Sequence, residues 1–208
     1  MPGDASNHLV IRLYSAPWST NVERVSLALA HKGLEAESIA IDYSDRSLVE
    51  RVSGQPLVPV VDFDGEIVHD STKILARLEE LHPQPPLYPA DPTRRAEMDI
   101  FIEWFNGVWK RPPNEIERIL GLPETDPVQI AELAKLMDDL LDFFEAMLQE
   151  REYLFGDEFS AADCIAYPFL KYAAGRDPED DELFHRILDQ YQSVEGRRRL
   201  AAWIERIR

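Results

Sequence analysis

The sequence predicts an α/β domain followed by an all-α domain. Three observations carry this. Strand and helix patterns alternate through residue 82, five prolines crowd residues 83–92, and no convincing strand pattern follows them. Leu9 to Tyr14 reads as a first strand. From Ser19 to about Lys32, the apolar residues Val22, Val25, Leu27, Leu29 and Ala30 suggest a helix that Gly33 stops. Ala36 to Asp42 reads as a second strand with Ile39 and Ile41 on one face, followed by a short polar helix near Arg46 to Val52. Val58–Phe63 and Glu66–His69 form a hairpin around Asp64-Gly65, a dipeptide that suits the positive-φ positions of a two-residue turn. Asp70 then caps a helix that runs to about His82, with Ile74, Leu75, Leu78 and Leu81 facing inward. Beyond the prolines, helices are predicted near 93–119, 126–150, 160–174, 179–192 and 195–207, the first broken or kinked at Pro112-Pro113. The expected organisation is a flexible terminus (1–8), an α/β domain (9–82), a proline-rich linker (83–92) and a helical domain (93–208).

Composition narrows the function. The 208 residues can bury a substantial core, and no stretch approaches the roughly 20 uninterrupted apolar residues of a membrane span. Thirty-nine acidic against 22 basic residues give a net charge of −17, which repels nucleic acid and anionic membrane at long range. Any anionic ligand must therefore be held by local donors, such as helix starts and individual Arg or Lys residues. The first eight residues lack the basic and apolar regions of a secretory signal, and the single cysteine, Cys164, fits a reducing cytosol, so a cytoplasmic protein is expected. The five histidines show no metal-ligand spacing, so no metal is expected.

Three motifs carry chemistry. In Ala16-Pro17-Trp18-Ser19 a hydroxyl stands where a strand–loop–helix passage begins its helix. Redox proteins with a thioredoxin-like β-α-β start carry C-x-x-C at this place, because the helix N-terminus lowers a cysteine's pKa. Here Ala16 and Ser19 occupy those positions, which excludes dithiol chemistry. Ser19 could still donate to a thiolate supplied by a substrate, or it could serve only as the helix cap. Ser15 and Tyr14 are the competing donors. A hydrogen bond to a charged group contributes roughly 1.5–3 kcal/mol and a helix terminus roughly 0.3–1 kcal/mol. Together they would raise the thiolate fraction of a thiol of pKa about 8.5 by roughly ten- to thirtyfold.

The second motif is Leu57-Val58-Pro59-Val60, where a proline interrupts apolar strand residues. A cis Val58–Pro59 bond would turn the Val58 N–H and C=O outward to pair with an extended peptide, whereas an ordinary edge-strand proline would not. The third, Asp70-Ser71-Thr72, is either a plain helix cap or a zwitterion site. In the second reading the Ser71 hydroxyl and N–H bind an α-carboxylate and Asp70 accepts from an α-ammonium.

With these motifs in place, the chain resembles a cytosolic glutathione transferase across nearly its full length. It is most similar to the serine-type, phi-like members, here a bacterial one, whose activating serine matches Ser19; Asn21 and Arg24 also fit. The family's cis-proline motif matches Val58-Pro59 and its acidic-Ser pair matches Asp70-Ser71. Gly156-Asp157-Glu158-Phe159-Ser160-Ala161-Ala162-Asp163 resembles the family's G-D-x-F-[ST]-x-A-D, where Ser160 and Asp163 form a capping box. The resemblance implies a thioredoxin-like first domain, glutathione as cosubstrate with no bound cofactor, a small hydrophobic electrophile and a homodimer joined near helices 70–82 and 93–119. It depart in three places. Leu57 stands where phi-like members carry a Gln that helps bind the glycyl end, with Gln55 nearby. The His-Lys pair that contacts the glycyl carboxylate would fall near Ser44-Asp45, leaving Arg46 as the close cation. Ala16 stands where tau-like and omega-like members carry their active residue. Trp18, Phe105 and Trp109 are the expected walls of the electrophile pocket between the domains. A non-catalytic binding or regulatory protein on the same fold is the alternative.

Overall fold

The structure, a computed structural model, describes residues 10–208; the expected flexible terminus and Leu9 lie outside them. The chain divides into two compact units at Pro85–Pro86. In the first unit β1 (Ile11–Ser15), α1 (Thr20–His31) and β2 (Glu37–Ala40) form a parallel crossover. Next come α2 (Ser47–Ser53), the hairpin β3 (Val60–Phe63) and β4 (Glu66–His69), and α3 (Ser71–Leu81). The sheet order is β2-β1-β3-β4, with β3 antiparallel to both β1 and β4. Asp64 (φ 55°) and Gly65 (φ 103°) make the hairpin turn.

Alternation divides this sheet into two apolar faces. Tyr14 and Val60 pack with Ile41 and with Val49 of α2, joined by Ile39, Leu48, Val52 and Val58. Val25, Ala28 and Leu29 of α1 and Ile74, Leu75 and Leu78 of α3 are buried as well. Lys32, at the end of α1, is also buried. Its ammonium donates to Glu79 (2.7 Å) and to the carbonyls of His82 (2.6 Å) and Pro85 (3.0 Å), tying the ends of α1 and α3 to the last residues of this unit.

The second unit holds α4 (Pro92–Trp104), α5 (Arg111–Leu120), α6 (Pro127–Met147), α7 (Ala161–Leu170), α8 (Leu183–Gln190) and α9 (Arg198–Ile207). The predicted break at Pro112-Pro113 is displaced. Proline tolerates the first turn of a helix, so both prolines sit inside the start of α5. Their missing N–H groups are felt one turn earlier, where Phe105–Trp109 widens into a π-helical turn and Lys110 N–H donates to the Phe105 carbonyl at 3.0 Å. The proline-rich stretch is not a free tether throughout. Leu87 and Tyr88 are buried, and the Leu87 carbonyl accepts from Ala161 N–H at 2.7 Å.

The Ser160–Asp163 capping box is formed. Asp163, fully buried, also accepts from Leu154 N–H (3.0 Å) and Trp203 Nε1 (2.8 Å), so one carboxylate joins the start of α7 to the preceding loop and to α9.

Candidate functional site

The strand register assembles the candidate site at one end of the sheet. Tyr14 pairs with Val60, and Val60 with His69. The loop leaving β1, the Val58-Pro59 entry to β3 and the Asp70-Ser71 exit from β4 therefore hang from the same row. Because β2 runs parallel to β1, with Ser15 opposite Ala40, the segment following β2 emerges there too.

Ser19 is the N-cap of α1, and its hydroxyl accepts from Val22 N–H at 3.3 Å. Its own proton finds no acceptor among the described residues, so it is available to a ligand at the positive end of the helix. The two competing donors stand in different surroundings. Ser15 Oγ pairs with Ser38 Oγ at 3.0 Å, and Tyr14 is buried in the α2-facing core. Trp18, at φ 60° and 44% exposed, stands on the rim immediately before Ser19.

The Val58–Pro59 bond is cis. Among the described residues the main chain of Val58 makes no turn, loop or side-chain hydrogen bond. At the exit of β4, Asp70 takes a positive φ of 74° and its Oδ1 accepts from Thr72 N–H (2.9 Å) and Lys73 N–H (3.3 Å). Its other oxygen is left to accept from elsewhere. Arg24, buried on α1, donates from Nη1 to Ser71 Oγ at 3.3 Å and so fixes that hydroxyl at the start of α3.

On the β2 side, Tyr43 OH donates to the Pro17 carbonyl at 2.7 Å and holds the loop before Ser19. Arg46 donates to the carbonyls of Tyr43 (3.4 Å) and Pro56 (3.2 Å), with its guanidinium 4.7 Å from the centre of the Tyr43 ring. Gln55 spends its amide on its own loop, donating to Ser53 Oγ and the Leu57 carbonyl and accepting from Leu57 N–H. Asp42 and Asp45 are held below the usual carboxylate range, Asp42 by donors of Ser44 and Asp45 by donors of Ser47.

Two expected pocket walls are corrected. Phe105 and Trp109 are buried in the second unit, stacked on each other at 4.5 Å and edge-on to Phe144 and Phe169. Both rings lie within this aromatic core, where they stabilise the fold and leave no face for a ligand. An open groove of about 490 Å³ lies in the first unit, between α1 and the β1–β2 face; Ser15, Ala16 and Pro17 line it, and Ser19 does not. Among the described residues no group of His, Cys, Asp and Glu is placed to hold a metal ion, and no helix is long and apolar enough to cross a membrane.

Residues 13–86 match the model for the glutathione S-transferase N-terminal domain, and residues 127–206 the model for its C-terminal domain. The chain is 30% identical to glutathione S-transferase hmp2 of Hypomyces subiculosus, over 77% of this chain and 81% of that protein. The chain belongs to the glutathione S-transferase family. It is 29% identical to glutathione S-transferase GstB of Escherichia coli, over 77% of this chain and 82% of the relative. The crystal structure of a Tau class glutathione S-transferase from mango, Mangifera indica, superposes with a TM-score of 0.78 at 15% identity, covering 95% of this chain and 88% of that one. The fold is thus a thioredoxin-like unit and a helical unit, and the chain is a glutathione S-transferase.

Two residues that support the candidate site escaped the sequence reading of roles. Arg24 fitted the family pattern, but its support of Ser71 spans 47 positions and leaves no local trace. Tyr43 carries no motif in the sequence, and its bond to Pro17 spans 26 positions.

Proposed function

We propose that this transferase joins the thiolate of glutathione to a small apolar electrophile, with Ser19 as the serine that stabilises the sulfur. The observation that carries the reading is the Tyr14–Val60–His69 row, which gathers a helix mouth with a free hydroxyl proton, an unpaired peptide edge and a helix start flanked by a carboxylate. A γ-glutamyl-cysteinyl peptide needs this set of groups. Its α-carboxylate would take the Ser71 N–H and hydroxyl, and its α-ammonium the open oxygen of Asp70. The cysteinyl main chain would pair with Val58 as a neighbouring strand does.

The sulfur then lies at the start of α1. The thiol proton departs to solvent, the Ser19 O–H donates to the resulting anion, and the sulfur lone pair attacks the electrophile's carbon. A C–S bond forms as the leaving group departs with its electrons. The groove beside Ala16 and Pro17, lined by Leu13, Val22, Leu29 and Ala30 as well as Ser15, Ser26 and Ser38, is the proposed place of the electrophile. Activation alone is modest, and holding the electrophile next to the sulfur supplies further acceleration.

Calorimetry with glutathione, followed by a chlorodinitrobenzene conjugation assay, tests the reading. Millimolar or tighter binding together with enzyme-dependent conjugate is expected. Absence of binding at millimolar ligand would remove glutathione as the cosubstrate.

The same reading includes a homodimer in the cytoplasm. The expected interface, near 70–82 and 93–119, takes in α4, which exposes Ile100; α6, whose Phe143 packs on Trp104 of α4, extends that face with exposed Leu136 and Phe143. A second copy of the chain would cover this face. Light scattering should report a dimer for the native chain and a monomer for Phe143→Glu; a native monomer would reject it.

A further inference from the structure

The far end of the peptide subsite differs in chemistry from the γ-glutamyl end. The sheet order β2-β1-β3-β4 sets out the subsites in sequence: the α3 start after β4, Val58 before β3, Ser19 after β1, and the Tyr43–Arg46 segment after β2. A peptide whose γ-glutamyl end sits at Asp70-Ser71 and whose sulfur sits at Ser19 therefore runs its carboxy-terminal end toward Tyr43, Arg46 and Leu57. Leu57 is 68% exposed there and offers only an apolar side chain. Gln55 has no amide group left over. Arg46 already donates to two main-chain carbonyls and lies against the Tyr43 ring. Asp42 and Asp45 bring negative charge to the same segment, and Arg51 of α2 lies in the field of Asp45. A carboxylate arriving at this end meets two carboxylates, an apolar wall and a guanidinium tied through Nε and Nη1 to main-chain carbonyls, with Nη2 as its open edge.

We propose that the enzyme recognises its cosubstrate as a γ-glutamyl-cysteinyl thiol without reading a carboxy-terminal carboxylate, so that thiols with an uncharged end are accepted as well as glutathione or better. This rests on the function proposed above and names the thiol class for the same site. Discrimination is then concentrated at Asp70-Ser71 and at the sulfur.

The test is a conjugation assay at fixed chlorodinitrobenzene with glutathione, its glycyl monoethyl ester, glutathione amide and cysteinylglycine. Values of kcat/KM for the ester and the amide are expected within threefold of glutathione's, or above it. Cysteinylglycine, which lacks the γ-glutamyl group, should fall by about a hundredfold or more, the equivalent of losing two hydrogen bonds to charged groups. Leu57→Gln, on an exposed side chain, should shift preference toward glutathione over the ester by about fivefold. An ester and an amide that are each tenfold poorer than glutathione would overturn the inference and leave glutathione conjugation standing. No turnover with any of the four thiols would overturn both.

Discussion

At the scale of single residues, Ser19 does two things that substitution can separate. It caps α1, and its hydroxyl proton is left for a ligand. Removing a serine cap costs about 1 kcal/mol when alanine replaces it but only a few tenths when glycine does. Ser19→Gly should therefore leave thermal stability nearly unchanged and still lower kcat by about ten- to thirtyfold, with KM for glutathione within twofold, because the lost bond acts on the thiolate. The pH dependence of the reaction gives the sign independently. On the proposed role of Ser19, the thiol bound to the native protein should ionise below its free value of about 8.5, and in Ser19→Gly the rising limb of the rate should move to higher pH. An unchanged pH profile would return Ser19 to the role of a cap alone. Leu57 and Arg46 carry a different lesson. Their identities are plain in the sequence, but that Arg46 donates from Nε and Nη1 to Tyr43 and Pro56 is visible only once the loop is folded.

At the scale of elements, what was legible had a local cause. The Asp64-Gly65 turn, the Ser19 and Asp70 caps and the Ser160–Asp163 box all follow from short-range chemistry, and each marks an element boundary within a few residues of its expected place. The π-helical turn was not legible, because the prolines that cause it sit at the start of α5 and act on carbonyls a turn upstream. Phe105 and Trp109, expected as pocket walls, lie in that turn and are buried. Asp163 tests how much the box carries. Asp163→Ala would strand the N–H donors of Leu154, Ser160 and Trp203 in a dry interior, at roughly 1–3 kcal/mol each. Urea unfolding should show a loss of at least about 3 kcal/mol, and a loss below 1 kcal/mol would mean that water replaces the carboxylate. The groove between α1 and the β1–β2 face is testable in the same way. Ala40→Phe places a residue that suits a strand into that cavity, so the KM for the electrophile should rise at least about fivefold while the KM for glutathione stays within twofold. Equal changes in both would move the electrophile elsewhere.

At the scale of the whole molecule, charge opposes the function that the local geometry supports. The chain carries a net charge of −17, and glutathione at neutral pH is itself an anion. Capture must then rely on short-range donors at Ser71 and Ser19 that act against a repulsive long-range field. The two ranges respond differently to salt. The field reaches about 30 Å at 0.01 M ionic strength and about 8 Å at 0.15 M, whereas hydrogen bonds within a partly buried site are screened far less. Raising sodium chloride from 0.01 to 0.15 M should therefore increase kcat/KM for subsaturating glutathione, by roughly two- to fivefold. The glycyl monoethyl ester has no net charge, so its kcat/KM should stay flat across the same range, which separates screening from any effect of salt on the protein. A fall with salt for glutathione but not for the ester would mean that a cation near the glycyl end dominates capture. Arg46 or Arg51 would then be holding the carboxylate, and the local field at that end would have to outweigh the negative charge of the whole chain.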